Sequence, residues 1–203
     1  MASKDWEPVY FWKPGSENGY LGQWYASEFT WERPFDDESD DVEILKYDNT
    51  EQFMMHGKGL LFAPDDPITQ DILARDVETP HPSELRTLGR QIPNFDDDVW
   101  KKHRYEIVVK GNYLKFTQNL DLKENLLATG DRQLVEASPR DRIWGVGYGA
   151  KNAGANRKTW GLNLLGKALM EVREQIRKEE AEKELGSGKK DGKKEGGGRK
   201  SRK

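Results

Sequence analysis

From Thr159 to Leu185 the chain reads TWGLNLLGKALMEVREQIRKEEAEKEL. Leu165, Leu169, Val172 and Ile176 recur at i, i+4, i+7 and i+11, the spacing of one apolar stripe along an α-helix. Such a stripe has to be buried against other elements, which commits the chain to a helix-packed core. The last turns, Arg177 to Glu184, are charged all round and are expected to project into water. No disulfide can replace that core, because the 203 residues include no cysteine. The same absence removes thiolate nucleophiles and zinc–thiolate sites. Charged residues make up 34% of the chain, but seven each of Trp, Tyr and Phe argue for a folded body.

Helical patterns also dominate the middle of the sequence. NTEQFMMHGKGLLF (49–62) opens on an Asn/Thr cap signal, and Pro64 and Pro67 end it before a short helix at 68–75. Another short helix is expected over 80–90, with Ser83 as cap. The segment 94–116 begins with acids in its first turn, where the helix dipole favours them. A helix at 122–130 ends on Gly130. DWEPVYFW (5–12) and VEILKYD (42–48) read as strands of a small hairpin or sheet, and FDDESDDVE (35–43) as an acidic loop. The expected fold is a mainly α, compact multihelical single domain over 1–185 with a small N-terminal β element.

Residues 186–203 carry eight Lys/Arg against Asp191 and Glu195, a net +6 in a chain of net −3. The preceding 185 residues therefore hold −9. The tail is expected to be disordered, and to add nonspecific affinity if the partner is a nucleic acid. No apolar run approaches the ~20 residues of a membrane span, and the N-terminus lacks a secretory h-region. The expectation is a cytoplasmic or nuclear monomer with no membrane partner.

Two segments concentrate chemistry. GVGYGA (145–150) formally matches a dinucleotide-binding glycine fingerprint, but KNAGANRK after it reads as loop, so the required strand–turn–helix context fails. It is expected instead to be a mobile glycine edge. LVEASPRDRIWG (134–145) places Glu136 and Asp141 around Pro139 and ahead of Trp144. On pattern alone, Asp141 needs no more than a backbone N–H or a neighbouring Arg. Glu51 likewise needs no more than the dipole of its own helix. Glu136, between Val135 and Ala137, reads as half-buried, and burial raises a carboxyl pKa. It is therefore the candidate for the perturbed carboxyl and Asp141 for the ionised one. His56, His81 and His103 show no ligand spacing, so neither metal nor cofactor is expected.

Five blocks, TEQFMMHGK, DVWKKHR, LKFTQN, LVEASPRDRIWGVG and WGLNLLGKALMEVR, occur in an order that resembles the NADAR superfamily, also called YbiA-like. The resemblance spans about residues 19–176. It implies a compact helical fold and hydrolysis of N-glycosidic bonds. Some members of this superfamily cleave ribosylamino-pyrimidine intermediates of riboflavin biosynthesis, and others remove ADP-ribose from guanine. It implies catalytic roles for Glu51, Glu136 and Asp141, with Trp100, Trp144 and Lys58 lining the pocket. Lys115, Arg90 and Arg104 are further candidates for holding phosphate oxygens. The family's Leu-Ser-Asn before its first Trp stands here as Leu21-Gly22-Gln23.

The chemistry fits those residue types. Breaking a ribose C1′–N bond builds positive charge on the sugar and negative charge on the leaving base, and carboxyl groups answer both. The expected function is removal of ADP-ribose from guanine bases of nucleic acid. The alternatives are hydrolysis of a ribosylamino-pyrimidine phosphate, or a non-catalytic module that binds ADP-ribose or NAD.

Overall fold

The computed structural model describes residues 6–34, 40–74 and 82–191. Its elements run β1 (Val9–Phe11), β2 (Phe29–Pro34), β3 (Val42–Tyr47), α1 (Thr50–Phe62), α2 (Pro67–Leu73), α3 (Pro82–Gln91) and α4 (Asp97–Gln118). After these come α5 (Leu120–Leu127), β4 (Leu134–Glu136), α6 (Ala150–Ala153) and α7 (Leu164–Asp191). Helix starts follow local chemistry. The Asn49 side chain accepts the Gln52 N–H at 2.9 Å, Asp66 accepts that of Ile68 ahead of Pro67, and Asp96 accepts that of Val99.

The stripe of α7 is the centre of the core. Leu165, Leu169, Val172 and Ile176 are each at most 2% exposed. They pack with Val108 and Phe116 of α4, Leu122 and Leu126 of α5, and Val9, Phe11 and Leu134 of the β1–β4 pair. A second cluster joins Phe29, Leu45 and Tyr47 to Phe53 of α1, with the Phe29 and Tyr47 rings stacked at 5.5 Å.

The β arrangement differs from the expected local sheet. The predicted strands 5–12 and 42–48 do not pair with each other. β1 pairs in parallel with β4, a strand too short to leave a periodic signal in the sequence, placing Phe11 beside Glu136. β3 pairs antiparallel with β2. KNAGANRK, expected as loop, forms α6 and a 3-10 segment, Gly154–Thr159. The last helix starts at Leu164 rather than 159, because Gly161 and Leu162 donate to Val146 O and Arg142 O instead. It continues to Asp191, past the expected domain end at 185. The rest of the basic tail (192–203), residues 35–39 of the acidic loop and His81 lie outside the described residues. No described helix is long and apolar enough to cross a membrane.

Helix α7 fixes β4 through two residues at its start. Asn163, at φ 52°, donates from Nδ2 to Leu134 O at 2.9 Å and accepts Glu136 N–H on Oδ1 at 3.0 Å. Gly166 lies against Leu134 O, with no room for a side chain. Gly166→Ala is expected to lower stability by about 1–3 kcal/mol, read from the urea midpoint, because the obstacle is backbone and cannot swing away.

Candidate active site

A cavity of about 900 Å³ opens between the N-terminal loops, α1, α3, the start of α4 and the loop after β4. Its lining includes all three expected carboxyls, Glu51, Glu136 and Asp141. It also includes Trp12, Trp24, Trp100 and Trp144, and the cations Lys13, Lys58, Arg86, Arg90 and Arg140. Acids and indoles thus share one cleft with a set of basic side chains.

Glu51 stands in the first turn of α1 and is only 4% exposed. Burial pushes its carboxyl up to about 7, against the opposing influence of Arg86 and of hydrogen bonds from Trp24 and Gln23. Gln23 Nε2 donates to Glu51 Oε2 at 3.3 Å, while the Gln23 carbonyl accepts Glu51 N–H at 3.1 Å and Thr50 Oγ1 at 3.3 Å. Segment 23–24 is therefore bound to α1 through both backbone and side chains. Gln23, which departs from the family's usual Asn, retains a contact with the carboxyl.

Glu136 ends β4. Its Oε2 is buried and has no hydrogen-bond partner. Burial first, then the negative charges of Asp141 and Glu51, push its carboxyl up to about 8. An unpartnered buried oxygen is tolerated far better on a neutral carboxylic acid than on a carboxylate. Asp141 is held differently: its Oδ1 accepts the N–H groups of Ile143 and Trp144, each at 2.8 Å. This turn brings the Asp141 backbone close to the end of β4, and Gly145 sits in the gap. A Cβ added at Gly145 would stand 2.8 Å from Glu136 O and 3.1 Å from Asp141 O.

The glycine run consequently has a different role from the expected mobile edge. Val146 is fully buried, its N–H donates to Glu136 O at 3.0 Å, and its carbonyl accepts Gly161 N–H at 2.9 Å. Residues 145–150 do not line the cavity. Gly145 allows two backbone segments to meet, and Gly147 takes a left-handed conformation at φ 79° against the Arg142 side chain.

Two expected phosphate ligands lie elsewhere. Lys115 is completely buried and donates to Tyr20 O at 2.7 Å and Gly22 O at 3.2 Å. Burial lowers its pKa to about 7. Lys115 is outside the lining and stands behind it, holding the carbonyl of Gly22, which does line the cavity. It braces the 3-10 turn that precedes Gln23 and Trp24. Arg104, one turn past Trp100, is also outside the lining. Lys58 and Arg90 do line the cavity, although the Lys58 ammonium already donates to Gly89 O at 2.5 Å and lies over the Phe95 ring. Arg86 and Arg140 were missed. Arg86 was within reach of the sequence, since it precedes Arg90 by four residues on the same helix face.

A model of the NADAR domain matches residues 10–177. The chain belongs to the NADAR family. It is 42% identical over 135 residues to an N-glycosidase of Acanthamoeba polyphaga mimivirus, covering 66% of this chain and 76% of that protein. It is 42% identical over 96 residues to an N-glycosidase of Nostoc punctiforme, covering 47% and 56%. A riboflavin biosynthesis protein of Vibrio vulnificus is 28% identical over 170 residues, covering 84% of this chain but only 39% of that one. The NMR structure of E. coli YbiA superposes with a TM-score of 0.63 at 24% identity, over 89% of this chain and 90% of YbiA. That likeness establishes the shared helical NADAR fold.

The buried acids make stability depend on pH. Between about 4.5 and 8 the folded Glu136 holds a proton that the unfolded chain releases, so folding loses free energy as pH rises through that window. Glu136→Gln is expected to raise stability at pH 8.5 by about 1–2 kcal/mol, with little gain at pH 5, in urea titrations.

Proposed function

We propose that this NADAR protein is an N-glycosidase that hydrolyses a ribose C1′–N bond and releases ADP-ribose from guanine bases of nucleic acid. The observation that carries the reading is the convergence of Glu51, Glu136 and Asp141 in one tryptophan-walled cavity, with Glu136 Oε2 buried and unpartnered. N-glycosidases recur among the relatives.

In the proposed reaction Glu136 enters as the neutral acid and gives its proton to the leaving base nitrogen as the C1′–N bond breaks. Positive charge on the sugar is met by Asp141, whose second oxygen is left for ligand or water. Water adds to C1′, and its proton returns to the carboxyl set through Glu51, which titrates near neutrality. The indoles of Trp100 and Trp144 offer stacking faces for the base, and Arg86, Arg90 and Arg140 offer donors for the diphosphate. The chemistry runs on carboxyls alone, so a chelator is expected to leave turnover unchanged.

A ribosylamino-pyrimidine phosphate is the second reading, favoured by the relatives named riboflavin biosynthesis proteins. A pure ADP-ribose or NAD binding module gains nothing from three acids facing an anionic ligand.

The test is release of free base from an ADP-ribosylated guanosine oligonucleotide and, separately, from the ribosylamino-pyrimidine phosphate. Wild-type kcat/KM on the oligonucleotide is expected to fall as pH rises above about 8, as Glu136 loses its proton. Glu136→Gln and Glu51→Gln are expected to lower kcat by about 10²–10⁴-fold with ligand binding retained. Turnover of the pyrimidine substrate alone would select the second reading. Binding of ADP-ribose without turnover of either would select the binding module.

A further inference from the structure

The mouth of the cavity holds a feature that the carboxyl chemistry does not use. Trp12 lines the cavity yet remains 43% exposed, whereas Trp24, Trp100 and Trp144 are half-buried. It follows β1 directly. Phe11, its neighbour in sequence, turns into the core at 2% exposure and pairs with Glu136. Alternation along the extended chain sends Trp12 the other way.

The turn that carries Trp12 is braced. Lys13 O accepts Ser16 N–H at 3.0 Å and Ser16 Oγ at 2.6 Å, Ser16 O accepts Gly19 N–H at 2.8 Å, and Asn18 Nδ2 donates to Tyr10 O at 3.2 Å. Gly19 packs against the carbonyls of Lys13 and Pro14 with no space for a Cβ. The indole is thus presented to solvent by a turn that cannot readily fold it away. Lys13 Nζ stands 4.9 Å from its ring centroid, and Arg140 lines the same cavity. A partly exposed indole with an ammonium over one face, beside a cleft that carries basic side chains as well as its acids, supplies the components that bind single-stranded nucleic acid, with bases on aromatic rings and phosphates on cations.

We propose that Trp12 and Lys13 form an accessory subsite for the nucleotide flanking the base that is released, so that a single-stranded polynucleotide is preferred over a free ribosylated nucleoside. The subsite rests on the N-glycosidase reading for its place in turnover but not for its binding. Trp12 stacks the flanking base and Lys13 meets its phosphate.

The test compares kcat/KM on ADP-ribosylated guanosine as a nucleoside and within a short single-stranded oligonucleotide. The wild type is expected to prefer the oligonucleotide, and Trp12→Ala to reduce the ratio of the two values by about 5- to 100-fold. Lys13→Gln is expected to reduce the slope of oligonucleotide affinity against salt by about one. A ratio unchanged by Trp12→Ala overturns the subsite, because Trp12 then serves the released group or nothing. If the wild type turns over neither substrate, the N-glycosidase reading fails. Anisotropy of a labelled unmodified oligonucleotide then decides the subsite separately: weaker binding by Trp12→Ala sustains it, and equal binding overturns it.

Discussion

Keeping two carboxyl groups out of water is the constraint on which this structure turns. A buried carboxyl either finds partners or holds its proton, and both outcomes occur here. Glu51 is met by Gln23 and Trp24, whereas Glu136 is left with an unpartnered oxygen. Neither arrangement arises from the helix or strand that bears the residue. Each depends on a distant segment held in place by the core.

For Glu136 that segment is the start of α7. Asn163 donates to the Leu134 carbonyl and accepts the Glu136 N–H, and Val146 N–H takes the Glu136 carbonyl. The parallel partner β1 closes the other side. For Glu51 it is the 20–24 strap, braced from beneath by Lys115 and joined to α1 by the Gln23 carbonyl. The bases of the two supports, α7 and α4, pack against each other in one core. The apolar stripe of α7 therefore reaches the chemistry through packing, although only Leu165 of that stripe lines the cavity.

The stripe was legible because helical periodicity is local, and Leu165, Leu169, Val172 and Ile176 are all buried as the spacing required. The Asn49 cap was legible for the same reason. β4 was not, since three residues carry no period, and its partner lies more than a hundred positions away. The three carboxyls, Trp100, Trp144 and Lys58, named by the family resemblance, line the cavity, and so does Arg90, named for its charge. Lys115 and Arg104 do not, because charge type alone says nothing of how far along α4 the cavity extends. Lys115, expected as a phosphate ligand, gives its ammonium to two backbone carbonyls. The glycine run misled in the opposite sense: its residues suggested freedom, but Gly145 is glycine because two backbones meet there.

Glu136 is expected to be a neutral acid near pH 7 while it faces Asp141 and Glu51. Carboxyl NMR of the protein labelled at the glutamate side-chain carbon, with Glu136 assigned from the Glu136→Gln spectrum, measures this directly. The Glu136 resonance is expected to keep its protonated shift through pH 6 and to titrate near 8. A Glu136 resonance that titrates in the ordinary carboxylate range, between about 4 and 5, would contradict it.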